Sequence, residues 1–244
     1  MSLRRIPGSP RIRIRWEESP LGVAVVGVDG CRAGWVCAFL HATMPRIEVH
    51  PDICAVLDRF PIALVAIDVP IGLPGRGKRA CDSAARQLLG SRGCTVFSAP
   101  IRPLLSAKTF PDACRIGRET DGRALSQQCW GIVPKIREVD VVVTTETQQR
   151  VIEIHPEVSF CAMNGMRPVM TKKSARDGQT ERLNLLGASF DLTSLVRPLR
   201  AKADDIADAL AALWTGLRWA QGRSRCVTEK EEVDGRGLRM QIHY

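Results

Sequence analysis

Apolar residues in the first third of the chain come in short Val-rich blocks bounded by turn formers, the pattern of strands buried in a sheet. GVAVVGVD (22–29) is the first block, GWVCAFLH (34–41) the second and Arg46 to His50 a third. The Gly-bounded CRAG between the first two fits a short hairpin connection, so these blocks predict an antiparallel meander. From Pro51 to Phe60 the period changes, with Ile53, Val56, Leu57 and Phe60 at helical spacing. Ile62 to Asp68 then runs almost wholly apolar, as a strand covered on both faces does. A helix between two strands argues for a crossover, and hence for a parallel pair.

Beyond the Gly- and Pro-rich VPIGLPGRG, the pattern predicts a helix from about Arg79 to Leu89. An insertion at about 91–147 reads as mostly helical, with breakers at Pro100, Pro103, Pro111 and Pro134. Arg150 to Ile154 restores strand character, Lys172 to Leu186 reads as a helix, and Asp204 to Gln221 as the closing one. The expected fold class is α/β: a mixed five-stranded sheet, three strands antiparallel and then two parallel, flanked by helices. It forms one domain over residues 21–221, between a basic N-terminal tail (1–20) and a C-terminal tail (222–244), both read as appendages.

In this order of elements the first and fourth strands are neighbours, so Asp29 and Asp68 leave the sheet at one edge, beside the end of the fifth strand, IEIHPE. Open sheets keep their sites at that edge. In the closing helix Asp205 and Asp208 lie three residues apart and Asp204 and Asp208 four apart, so each pair shares a face. If that face crosses the strand ends, four or five carboxylates converge, and only hard divalent cations make such a cluster tolerable. Local sequence offers plainer accounts of most of them. Asp29-Gly30 is a hairpin-turn signal, Asp68 ends a strand, and Asp204 and Asp205 sit where an N-cap or the helix dipole favours acid. Asp208, one turn further in, has no such explanation.

Composition narrows the picture. The chain has 244 residues, 45% hydrophobic and 25% charged, with a formal net charge of +9. It is long enough to bury a core, and no apolar run approaches the roughly 18 residues of a membrane span. The basic excess suits a nucleic-acid partner without demanding one. Nine cysteines are scattered with no C-x-x-C pair, which argues against disulfides or structural zinc and for a reducing, cytoplasmic setting. Arg32 in the first hairpin, Lys78 after the fourth strand, and Lys173 and Arg182 in TKKSARDGQTER are candidate contacts for a substrate phosphate; Lys172 and Arg176 read better as a solvated face. His155 is a candidate general acid or base, or equally a packed core histidine. Glu157 is a candidate metal ligand. Aromatic residues that could stack on bases are scarce near these motifs, Trp35 and Trp130 being the candidates.

Five blocks in order, GVDGCRAGW (27–35), AIDVPIGLP (66–74), LSQQCWGIVPKIREVD (125–140), IEIHPEVSF (152–160) and DDIADALAALW (204–214), resemble a bacterial and archaeal domain-of-unknown-function family described as predicted RNase H-like nucleases. The resemblance spans about residues 22–220, and DIADALA is also similar to the last helix of RuvC-type Holliday-junction resolvases. It implies an RNase H-like fold and a metal-dependent nuclease. Asp29, Asp68, Asp205 and Asp208 would be its catalytic carboxylates and, with Glu157, its metal ligands for Mg²⁺ or Mn²⁺, as two ions. Two other readings stand beside it. The first hairpin looks somewhat like the phosphate cradle of sugar kinases and actin-like ATPases, which need a second such domain, here available only through a homodimer. Alternatively, the chain is a module that binds nucleic acid without cutting it.

Overall fold

A computed structural model describes residues 23–244; the tail read over residues 1–20 lies outside the described residues. Strands β1 (Val25–Cys31), β2 (Gly34–His41) and β3 (Met44–His50) form the expected meander. Helix α1 (Ile53–Arg59) crosses over to β4 (Leu64–Ile67), which lies parallel to β1, and β5 (Val151–Glu153) lies parallel to β4. The strand order is β3-β2-β1-β4-β5, three antiparallel strands followed by two parallel ones.

Each face of the sheet is covered. On one, Val26, Val28, Cys37 and Phe39 pack with Val56 and Phe60 from the α1 region. Helix α4 (Gln127–Val142) joins them there through Ile136 and Val139. On the other, Val25, Val36 and Ala38 meet Ala209, Leu210 and Leu213 of helix α7 (Ala203–Ala220). Helix α7 lies so close to β1 that a Cβ on Gly27 would fall 2.2 Å from the Ala209 carbonyl oxygen and 2.0 Å from the Leu213 nitrogen. Only glycine permits that approach. The same contact explains the run of small residues in ADALAALWTG, where a Cβ on Gly216 would meet Val25 at 2.7 Å.

The remaining helices are α2 (Ala80–Leu89), α3 (Phe110–Asp121), α5 (Pro156–Met163) and α6 (Arg176–Gly187). Two expectations need correction here. Pro134 does not break the insertion: α4 runs through it, held by Val133, Ile136 and Val139 in the core. Residues 222–244 are no appendage: Leu238, Met240 and Ile242 are buried, and His243 donates its backbone N–H to Glu153 O at 3.0 Å, carrying on from β5. Asp234 fixes this segment by accepting from the backbone N–H groups of Leu73 and Leu238, both at 3.0 Å.

Candidate functional site

Parallel pairing sets Val28 beside Ile67, so Asp29 and Asp68, one residue on, stand side by side; the Asp68 N–H donates to Val28 O at 2.9 Å. Parallel neighbours lie about 4.8 Å apart, which forces the two carboxylates into one region. Helix α7, seated on Gly27, brings Asp208 to the same edge. Asp29, Asp68 and Asp208 all line a cavity of about 380 Å³.

These groups are poorly compensated. Asp29 and Asp208 are buried and Asp68 half-buried. Burial pushes the Asp29 carboxyl well above the ordinary carboxylate range, and Asp208, Asp68 and Asp205 push it further. Asp68 is raised in the same way, by burial and then by Asp208. Asp208 is also raised by burial, against the opposing pull of Lys173, whose Nζ lies 2.8 Å from Asp208 Oδ2. For Lys173 burial works downward, but Asp208, Asp68 and Asp29 outweigh it and hold the ammonium above its usual range. One half-exposed lysine therefore faces three aspartates.

The other predicted residues divide. His155 lines the cavity as the residue just before α5, with Nδ1 buried and lacking a hydrogen-bond partner; burial lowers its pKa, against the charge of Glu157. Asp205 does not line the cavity. Its Oδ2 accepts the Lys202 N–H at 3.3 Å, the helix-capping role that its position at the start of α7 allowed, and it acts on Asp29 only through space. Glu157 lines the cavity, but Arg182 grips it through Nη2, at 2.7 and 2.8 Å from the two carboxylate oxygens. Arg182 is itself buried, donates to the carbonyls of Thr171 and Gly178, and packs over the Phe160 ring. Glu157 as a free ligand and Arg182 as a substrate contact are thus corrected: they form a structural ion pair tying α5 to α6. Arg32 is exposed at the hairpin tip, outside the cavity lining, and Lys78 is exposed on a second cavity.

Sequence reasoning missed the charge at the back of the site. Arg79 is 1% exposed and chelates Glu153 with both terminal nitrogens at 2.7 Å, while its Nε donates to Asp82 at 3.0 Å. Burial pushes the Glu153 carboxyl up to about 7, against the pull of Arg79. Asp82 Oδ2 accepts the Ala99 N–H at 2.8 Å. The one available signal was the buried period of β5, in which Glu153 alternates with Ile152 and Ile154. Lys135 was missed as well: Gln128, Ile132 and Lys135 of α4, at helical spacing, line the cavity, and Lys135 Nζ sits 4.4 Å from the Trp35 ring centre and 3.1 Å from Glu138 Oε1.

Among the described residues, no group of three or more His, Cys, Asp or Glu side chains is gathered tightly enough to hold a metal ion as it stands. The donor chemistry nevertheless suits a hard divalent cation. Asp29, Asp68 and Asp208 offer only oxygen, and their raised pKa values record a field that an added positive charge would relieve. Among the described residues no helix is long and apolar enough to cross a membrane, and all nine cysteines are free thiols.

No curated protein and no solved structure matches the chain. A family model does match, over residues 27–233, a span that holds every carboxylate of the site from Asp29 to Asp208. The chain belongs to the family described as "Protein of unknown function (DUF429)".

Proposed function

We propose that the protein is a metal-dependent hydrolase of phosphodiester bonds with the acidic cavity as its active site, the activity expected of an RNase H-like nuclease. The observation that carries this reading is the set of three aspartates on β1, the end of β4 and α7, all lining one cavity with raised pKa values and a single lysine in contact. Groups tuned this way against their own stability belong to function more often than to folding.

Asp29, Asp68 and Asp208 would hold Mg²⁺ or Mn²⁺. When bound, such ions supply an activated water and neutralise charge on the phosphate. The chain's own residues do the rest. Lys173 balances Asp208 and offers a mobile cation to a phosphate oxygen, and Lys135, paired with Glu138 on its own helix, adds a second positive group to the lining. His155, with its lowered pKa, is neutral near pH 7, and its unpartnered Nδ1 can accept or relay a proton. Arg79 and Arg182 hold Glu153 and Glu157 in ion pairs, so the back of the cavity does not compete for cations. The ATPase reading draws less support, because the described chain holds one such sheet rather than two.

Cleavage assays with Mn²⁺ on RNA, DNA, hybrid and branched strands test the proposal. Activity that disappears in Asp208→Asn, whose carboxamide keeps the shape, is the expected result. A protein inert on all four substrates and indifferent to divalent ions would leave a non-catalytic binding module as the better reading.

A further inference from the structure

Next to the acidic cavity lies a larger one of about 560 Å³, and the two share walls: Cys94, Val96, Phe97 and Gln128 line both. Their charges are opposite. The second cavity is lined by Lys78, Arg86 and Arg123, and its only acid, Asp121, is engaged by the Gly77 N–H at 2.8 Å and by Arg123 Nη2 at 2.7 Å. The first turn of α4 also opens onto it through Ser126, Gln128 and Cys129, adding the positive end of a 16-residue helix. Phe97 stands at the neck with 38% of its surface exposed, a large ring left in water where the two chambers meet.

We propose that the second cavity is a subsite for the nucleotide flanking the scissile phosphate, and that the ligand running through both chambers is single-stranded nucleic acid. The inference rests on the hydrolase reading of the first chamber and adds to it the form of the substrate. A backbone phosphate leaving the acidic chamber meets Lys78, Arg86 and Arg123, and the neighbouring base stacks on Phe97, a contact that tolerates any base because each has a π-face. The reaction chamber, of about 380 Å³, has room for a nucleotide and not for a stacked base pair, so a strand enters it only with its bases unstacked and unpaired.

Fluorescence anisotropy with a labelled single strand of about eight nucleotides, in chelator and again with Ca²⁺, tests this. In chelator Phe97→Ala weakens binding about tenfold, Phe97→Leu weakens it too while keeping apolar bulk, and the same sequence as a blunt duplex binds worse than the single strand. Replacing both Lys78 and Arg123 by alanine lowers the slope of log affinity against log salt by about 1.4, two phosphate contacts on a single strand. Melting curves that superpose on the unaltered protein's exclude misfolding. Unchanged affinity in both Phe97 variants, an unchanged salt slope, or preference for the duplex overturns the subsite. A lack of Ca²⁺-dependent tightening counts instead against the first chamber as a cation site, so the two failures are separable.

Discussion

Two groups of carboxylates line the same cavity and are treated in opposite ways. Glu153, Asp82 and Glu157 are buried, and each is gripped by an arginine that is itself buried, Arg79 or Arg182. Asp29 on β1, Asp68 just after β4 and Asp208 on α7 have one contacting cation, the half-exposed Lys173. Buried charge survives folding when paired and hydrogen-bonded, as in the first group. The second group lacks such partners, and the proposed function rests on that difference.

The comparison can be broken from either side, and the largest effect is expected on the paired side. Arg79→Met leaves Glu153 and Asp82 uncompensated in the interior and should cost about 3–5 kcal/mol of stability, measured by urea unfolding. Arg182→Met should follow for the same reason through Glu157, by a similar or smaller amount. A loss under about 1 kcal/mol in both would mean that these pairs do not hold the back of the cavity.

On the unpaired side the sign reverses. Asp29→Asn removes a buried charge that its neighbours repel, so the variant should be more stable than the parent by about 1 kcal/mol near neutral pH, or about 2–4 °C in midpoint, while losing activity. A destabilised but active variant would show that Asp29 belongs with the paired group.

The smallest effect is the pH dependence. Asp29, Asp68 and Asp208 have folded-state pKa values raised above the unfolded 3.8. The folded state therefore holds these protons more tightly, and the three groups favour folding most at acid pH. Their contribution declines as pH rises from about 4 through the raised values. Glu48 and Asp234, with lowered pKa values, act in the opposite sense, so the clean observable is a difference. The midpoint of Asp29→Asn minus that of the parent should grow with pH. A difference that stays flat from acid to neutral would contradict the electrostatic account.

Much of the fold could be read from the sequence because its signals are local. Val-rich blocks and the CRAG hairpin define β1 and β2, the period change after Pro51 marks α1, and the order of elements alone puts Asp29 beside Asp68. Asp208 stood out because no capping role reaches that deep into a helix. What stayed hidden depends on distant pairing. Arg79 marked only the start of a helix, since nothing near it announces a partner 74 residues away. Arg182 and Glu157 looked like free site residues for the same reason. Asp205 carried two valid readings, and only the position of Lys202 decides for the cap. Helix α5 was obscured because IEIHPEVSF alternates apolar and polar residues as a strand does; Pro156 at its first position was the overlooked start signal. The C-terminal segment was taken for a tail because its buried residues, Leu238, Met240 and Ile242, alternate among polar ones too briefly to declare a strand.

The central claim is that the three aspartates form a site short of positive charge, and thermal unfolding with and without Mn²⁺ tests it most directly. Mn²⁺ at one hundred times its dissociation constant should stabilise the protein by about 2.7 kcal/mol, and the shift should shrink sharply in Asp29→Asn and Asp208→Asn while surviving in Asp205→Asn. Equal shifts in all four proteins, or none in the parent, would contradict the account.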